Sequence, residues 1–302
     1  MARSWGKGFV GTVAMMLMAT GAAAGQVGTQ ELLTRPPIPP DHEIRYGDGP
    51  RHVAHLRLPD RPGPHRVLIV IHGGCWLSFA DLRHLDELNE ELTASGWATW
   101  SVEYRPIDEQ GGGWPGTFLD VAGGIDHLKI IADDHDLDLD RVAVLGHSAG
   151  GHLSLWAAGR ARIPEGSELY RPDPVRPLAA VSLGGLGDLE AFHAANVPTC
   201  GPDIIPRLLG GTPEEHDDHY VQGSPARLLP LGVPQLQITG SDDGAVPPRF
   251  ANAYDEAAEQ AGDPVETIIL DGAGHFDVVA PWSPLWPQVK SAVLRFLEEA
   301  VP

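Results

Sequence analysis

The pentapeptide Gly146-His147-Ser148-Ala149-Gly150 could carry nucleophilic chemistry if the surrounding chain puts its serine on a sharp turn. In a chain with 36 glycines, a Gly-x-Ser-x-Gly match arises by chance about 0.2 times, so the pentapeptide by itself says little. Its setting says more. Residues 141–145 read as a buried strand and Ala149 opens a helical segment. A strand-to-helix turn lifts the hydroxyl above the sheet edge, the flanking glycines relieve backbone crowding, and the helix N-terminus favours developing negative charge. The structural alternative is a tight turn whose serine caps the helix.

A serine hydroxyl is a poor nucleophile near neutral pH. It needs a base, and the base needs a group that orients it. His275, in Asp271-Gly272-Ala273-Gly274-His275-Phe276, follows the last candidate strand and is the expected base. The acid should end the preceding strand, where Gly240-Ser241-Asp242-Asp243 offers two adjacent carboxylates, and Asp188 is a third candidate. Residue chemistry leaves all three open. An oxyanion hole needs backbone N–H groups converging on one point. The expected donors are Ala149, directly after the serine, and Gly74 and Cys75 in the loop His72-Gly73-Gly74-Cys75-Trp76. The chemistry so described is acyl transfer to water. It requires no metal and no organic cofactor.

Such residues must be held by a scaffold with strand ends along one edge. The run Val67-Leu68-Ile69-Val70-Ile71 is apolar at every position, as in a strand covered on both faces by helices. Further strands are expected at 99–104, 141–145, 178–183, 234–239 and 265–270, and helices at 81–95, 117–133, 149–160, 247–261 and 284–300. This alternation implies right-handed βαβ units in one mostly parallel sheet with helices on both faces. Two short alternating runs at 42–47 and 52–59 read as an antiparallel pair at a sheet edge. Residues 184–231 break the rhythm, being rich in Gly, Pro and His, and are expected to form a lid segment. The catalytic domain is placed at 42–302, preceded by a Pro-rich extended linker at 26–41. No internal repeat or second domain is found.

The first 25 residues have the make-up of a secretory signal peptide. Arg3 and Lys7 precede an apolar run around Met15-Met16-Leu17-Met18, and Ala22-Ala23-Ala24 offers a cleavage site. The run is short for a bilayer span, so an exported protein, periplasmic or secreted and without membrane insertion, is expected. A formal net charge of −20, from 21 basic and 41 acidic residues, repels phosphate backbones and argues against nucleic-acid partners. Export permits a disulfide, but two cysteines form no framework, and Cys75 and Cys200 are expected to be unpaired thiols. Glu214-Glu215-His216-Asp217-Asp218-His219 reads as a solvated lid segment and not as a metal site. Trp114, Trp282 and Trp286 read as packing residues before substrate-pocket residues.

With these residues in hand, the chain resembles the α/β-hydrolase superfamily, and within it the small esterase/lipase group of kynurenine formamidase-like and feruloyl-esterase-like enzymes. The matching pieces are His72-Gly73-Gly74-Cys75-Trp76, Glu103-Tyr104-Arg105, and residues 146–151, 240–247 and 274–281. The resemblance implies that the acid stands three residues after a Gly and three before a Val-Pro, which selects Asp243 between Gly240 and Val246-Pro247. Formamidases of this type carry an aromatic residue where Cys75 stands, and esterases of the hormone-sensitive-lipase type carry a third Gly there. The expected substrate is a small acyl ester. An amide-type hydrolase, such as an arylformamidase or small peptidase, is the first alternative. A non-catalytic binding protein on the same scaffold is the second.

Overall fold

The computed structural model describes residues 25–302. The leader read over residues 1–25 lies outside them, save for Gly25. Eight strands form one sheet: β1 His42–Arg45, β2 Val53–Arg57, β3 His65–Ile71, β4 Ala98–Val102, β5 Leu137–His147, β6 Ala180–Leu183, β7 Gln235–Gly240 and β8 Val265–Leu270. Their spatial order is β1-β2-β4-β3-β5-β6-β7-β8. β1 pairs antiparallel with β2, and β2 with β4. Every other pairing is parallel. This is the α/β-hydrolase arrangement, with the expected antiparallel pair at one edge.

The continuous apolar run in β3 has its explanation in the two cores. Val67, Ile69 and Ile71 pack into one cluster, while Leu68 and Val70 pack into a second on the opposite face. A central strand with helices on both sides has no solvent face, so alternation disappears. The helix Ala149–Gly159 is buried along its whole length, which matches its lack of a polar face.

Element boundaries differ from expectation where side chains intervene. β5 begins at Leu137 and runs through His147, so strand geometry continues into the pentapeptide. β4 stops at Val102, and the next residue, Glu103, accepts from the Leu82 N–H through Oε2 at 3.0 Å. The helix expected over 81–95 starts as a 3-10 turn, Leu82–Leu85, capped by the Asp81 carboxylate, before Asp86–Ala94. The helix expected over 117–133 is interrupted, forming Gly116–Asp126 and Leu128–Ile131.

The segment 184–231 holds four short helices, Leu189–Ala194, Ile204–Leu209, Asp217–Gly223 and Pro225–Leu228. Each is too short to show a helical hydrophobic period. The stretch expected to be an extended linker also differs. It contains a helix, Thr29–Leu33, with Leu32 buried, and it docks on the domain. The Ile38 N–H donates to Asp86 Oδ2 at 3.0 Å, and Arg57 donates to both Ile38 O and Asp86 Oδ1 at 2.7 Å. Among the described residues no helix is long and apolar enough to cross a membrane.

The two cysteines do not stay apart as thiols. Cys75 and Cys200 form a disulfide with their Cα atoms 5.4 Å apart. The expectation of unpaired thiols is therefore corrected. Their separation of 125 residues hid the pairing, because proximity here is created by the sheet topology and not by the local chain.

Candidate active site

β5 and the helix Ala149–Gly159 meet at Ser148, which takes φ 55° and ψ −119°. Positive φ is uncommon for a residue with a side chain and is a recognised source of stored strain at functional turns. Ser148 occupies the helix N-cap position, yet its side chain makes no capping hydrogen bond. The turn therefore holds a serine without using its hydroxyl structurally, which removes the capping alternative.

The turn demands its glycines. A Cβ on Gly150 would sit 2.0 Å from Ile71 O and 2.5 Å from His72 O, and one on Gly146 would sit 1.9 Å from Gly150 O. These neighbours are backbone atoms and cannot rotate away. Gly150→Ala is expected to cost about 2–4 kcal/mol of stability through overpacking, read as a lower denaturant midpoint in chemical unfolding. An unchanged midpoint would contradict the turn geometry.

β7 and β8 end beside this turn and deliver the other two groups. His275 Nδ1–H donates to Asp243 Oδ2 at 2.8 Å. The other carboxylate oxygen, Asp243 Oδ1, accepts from the N–H groups of Ala245 at 2.8 Å and Val246 at 2.7 Å. Asp243 is 3% exposed. Asp242 instead faces solvent and accepts from Gln26 Nε2 at 3.3 Å. Asp188 caps the helix Leu189–Ala194, accepting from the Ala191 N–H at 2.9 Å. Of the three carboxylates left open by residue chemistry, the geometry thus brings only Asp243 to the histidine.

Ser148, His275, Gly74, Cys75 and Ala149 line one cavity of about 140 Å³. Its remaining walls are mostly apolar, including Trp76, Phe79, Leu186, Phe192, Val246 and Phe276. Among the described residues, the backbone N–H groups of Gly74, Cys75 and Ala149 donate no hydrogen bond. Gly74, Cys75 and Trp76 have successive positive φ values of 108°, 57° and 55°. The tryptophans singled out in the sequence do not line this cavity. Trp114 donates to Glu168, Trp282 lies under the Arg35 guanidinium, and Trp286 is in the second core.

Two supports of this site use residues whose roles residue types and spacing alone do not assign. The first clamps the loop after β3. His72 stacks on Tyr104 with ring centroids 4.3 Å apart, and His72 Nε2 lies 3.1 Å from Glu103 Oε1. The Tyr104 hydroxyl donates to His72 O at 2.9 Å. Burial opposes ionisation of Glu103, but the neighbouring His72 and hydrogen bonds from His72, Leu82 and Tyr104 outweigh it and hold the carboxyl below its ordinary range.

The second support is a chain of buried imidazoles. His147 Nε2–H donates to the His275 carbonyl oxygen at 3.1 Å, which leaves His147 Nδ1 to accept from His84 Nε2–H at 3.1 Å. Burial pushes the pKa of His84 down to about 3, and that of His147 well below its usual value. His152, which donates from Nε2 to Gly223 O at 2.8 Å, is pushed down to about 4, again chiefly by burial. All three are neutral in the fold. Above the ordinary histidine value of 6.5 they are neutral in the unfolded chain too, so folding carries no proton cost there. Below 6.5 the unfolded chain gains protons that the fold excludes, so stability falls as pH drops from 6.5 toward 3–4. A melting temperature several degrees lower at about pH 5 than at about pH 7.5 is expected, and calorimetry across that range checks it.

The segment read as solvated brings ligand atoms of His216, Asp218 and His219 within 4.8 Å of one another. Here the imidazoles stack: His219 lies face to face with Trp114 at 4.3 Å and with His216 at 4.5 Å, the two imidazoles only 4° from parallel. His219 Nδ1–H also donates to Leu209 O at 2.6 Å. Parallel rings direct their in-plane lone pairs along separate planes, so the group reads as an aromatic stack anchoring the segment.

A model of the BD-FAE family matches residues 56–257, a span that runs from β2 into the helix Arg249–Ala261. Esterase LipC of Mycobacterium tuberculosis (strain ATCC 25618 / H37Rv) is 29% identical over 244 residues, covering 78% of this chain and 60% of its own length. The probable carboxylic ester hydrolase LipM of the same organism is 28% identical over 267 residues, covering 86% of this chain and 61% of its own. The chain therefore spans about 60% of the length of these curated relatives. The structure of a truncated carbohydrate esterase from gut microbiota has a TM-score of 0.71 at 21% identity, covering 86% of this chain and 95% of that one, which shows a shared fold.

Proposed function

Because the chain belongs to the BD-FAE family, we propose that it is a serine hydrolase that cleaves small carboxylic esters through an acyl-enzyme on Ser148. The observation that carries this reading is a strained, non-capping serine that shares one apolar cavity with a histidine hydrogen-bonded to a buried aspartate. Ser148 Oγ attacks the ester carbonyl while His275 Nε2 takes its proton. Asp243 holds the imidazole with its proton on Nδ1 and stabilises the cation that forms. The N–H groups of Gly74, Cys75 and Ala149 receive the oxyanion, each such donor contributing about 10²–10³ in rate. His275 then protonates the departing alcohol, and water, deprotonated by the same imidazole, releases the acid. The esterase names of its curated relatives support the same reaction.

The cavity of about 140 Å³ lies well below the range of about 300–1,000 Å³ that holds drug-sized ligands. Its size favours a short acyl group. A series of p-nitrophenyl esters of rising acyl length tests this: kcat/KM is expected to peak at the short end. Highest activity on long-chain esters would overturn the assignment of this cavity to the acyl group. Labelling of Ser148 by a fluorophosphonate, located by peptide mass, tests the nucleophile separately.

The composition of residues 1–25 supports export, and a disulfide fits an oxidising compartment. N-terminal sequencing of the mature protein is expected to begin near Gly25 or Gln26. Retention of Met1 would refute export by cleavage of this leader.

A further inference from the structure

The disulfide ties the loop after β3 to residues 184–231, several of which line the cavity. Cys75 is the middle of three consecutive residues in the left-handed region. Gly74 meets no Cβ penalty there, whereas cysteine and tryptophan do. The neighbours of Cys75 are anchored by contacts of their own. The Leu77 N–H donates to Gly74 O at 2.8 Å, the Ile107 N–H donates to Trp76 O at 2.8 Å, and the Trp76 side chain is 2% exposed. Cys75 itself is only half-buried, its N–H donates no hydrogen bond among the described residues, and its sulfur is bonded to Cys200.

The other end of the bond is equally irregular. Cys200 lies between the helices Leu189–Ala194 and Ile204–Leu209, with φ 68°, and Gly201 follows at 87°. Thr199 Oγ1 donates to Gly244 O, in the loop after β7, at 3.4 Å, a long contact, while the covalent bond joins this stretch to the loop after β3. Thr199, Cys200 and Cys75 all line the cavity that holds Ser148.

We propose that the Cys75–Cys200 disulfide is a positioning element of the active site. It holds Cys75 in the left-handed conformation its oxyanion N–H requires and fixes Thr199 and Cys200 as a cavity wall, so that the oxidised enzyme is the active form. This rests on the hydrolase reading above. A cross-link between residues 125 apart also restricts the unfolded chain, so it raises thermal stability whatever its role at the site. Melting temperature therefore cannot distinguish a positioning bond from a purely structural one, but kcat can.

The test uses the full chain and p-nitrophenyl acetate, well below the melting temperature, with circular dichroism confirming that each form is folded. Dithiothreitol reduces the bond to two thiols and is itself oxidised to its cyclic disulfide. Reduction is expected to lower kcat about tenfold or more, since a misplaced donor loses much of its effect. Cys200→Ser should show the same loss and no response to dithiothreitol. The double variant Cys75→Gly/Cys200→Ser is the decisive arm, because glycine holds positive φ without a tether. Its kcat should exceed that of Cys200→Ser by at least about fivefold, while its melting temperature stays as low. A purely structural bond predicts that reduced wild type and Cys200→Ser keep kcat within about twofold while only stability falls, and that result overturns the proposal. A double variant no faster than Cys200→Ser also overturns it. An oxidised wild type that neither turns over the ester nor labels at Ser148 overturns the parent reading and this one with it. Active, labelled wild type with kcat indifferent to reduction overturns this one alone.

Discussion

Replacing Ser148 by alanine is expected to lower kcat for a short p-nitrophenyl ester by about 10⁶-fold while leaving the fold intact. The size of the loss follows from the proposed covalent route. Without Oγ no acyl-enzyme forms, and what remains is the contribution of the oxyanion donors and of substrate positioning. The retention of structure follows from the local geometry. The Ser148 side chain caps nothing, so its removal leaves no helix N–H newly orphaned. Alanine meets the same penalty at φ 55° that serine already bears. The melting temperature should therefore move by no more than a couple of degrees. A variant that keeps near wild-type turnover would refute the nucleophile. One that loses turnover only because it unfolds would show up in the melting curve.

Asp243→Asn should lower kcat by about 10⁴-fold, with Asp242→Asn within about twofold of wild type. The contrast comes from hydrogen-bond direction. In the native site Asp243 Oδ1 already accepts from two backbone N–H groups, Ala245 and Val246. An asparagine must keep its carbonyl oxygen there, which turns its NH₂ toward His275 Nδ1. Two donors would then face each other unless the imidazole moves its proton to Nε2. That tautomer presents N–H to Ser148 where a lone pair is needed, so the base is disabled while the side chains stay in place. Asp242 is exposed and accepts only from the Ser241 hydroxyl at 3.1 Å and Gln26 Nε2 at 3.3 Å, away from His275, so its charge has no such leverage. Kinetics of the two variants side by side, with the melting temperature of each, measure the difference. Equal losses would mean that the acid is not chosen by this geometry.

How much of this was legible beforehand depends on whether a feature is local in the chain. The apolar run of β3 announced a strand covered on both faces, because a residue's environment in a parallel sheet imprints on its own side chain. The pentapeptide gains meaning from its immediate neighbours, β5 before and a buried helix after, both present in the structure. The helices of 184–231 left little pattern, since four to seven residues cannot display a period of 3.6. The docking of 26–41 leaves no local pattern in this Pro-rich stretch, because its attachment is made by partners far along the chain, Asp86 and Arg57 for Ile38.

The sequence by itself determined the kind of chemistry available: a serine at a strand-to-helix turn, a histidine after the last strand, an aspartate pair after the strand before it, and a glycine loop upstream. Each is a local statement of residue type and element order. Tertiary structure decided what depends on distance and direction between remote segments. It turned Asp243 inward and Asp242 outward, although the two are chemically identical neighbours. It joined Cys75 to Cys200 across 125 residues, against the expectation of free thiols. It set His84 and His147 beneath the His275 backbone as neutral rings. The physical reason is common to all three. Hydrogen bonds and disulfides need atoms within a few ångströms and in the right orientation, and here the folding of the sheet, not spacing along the chain, supplies both.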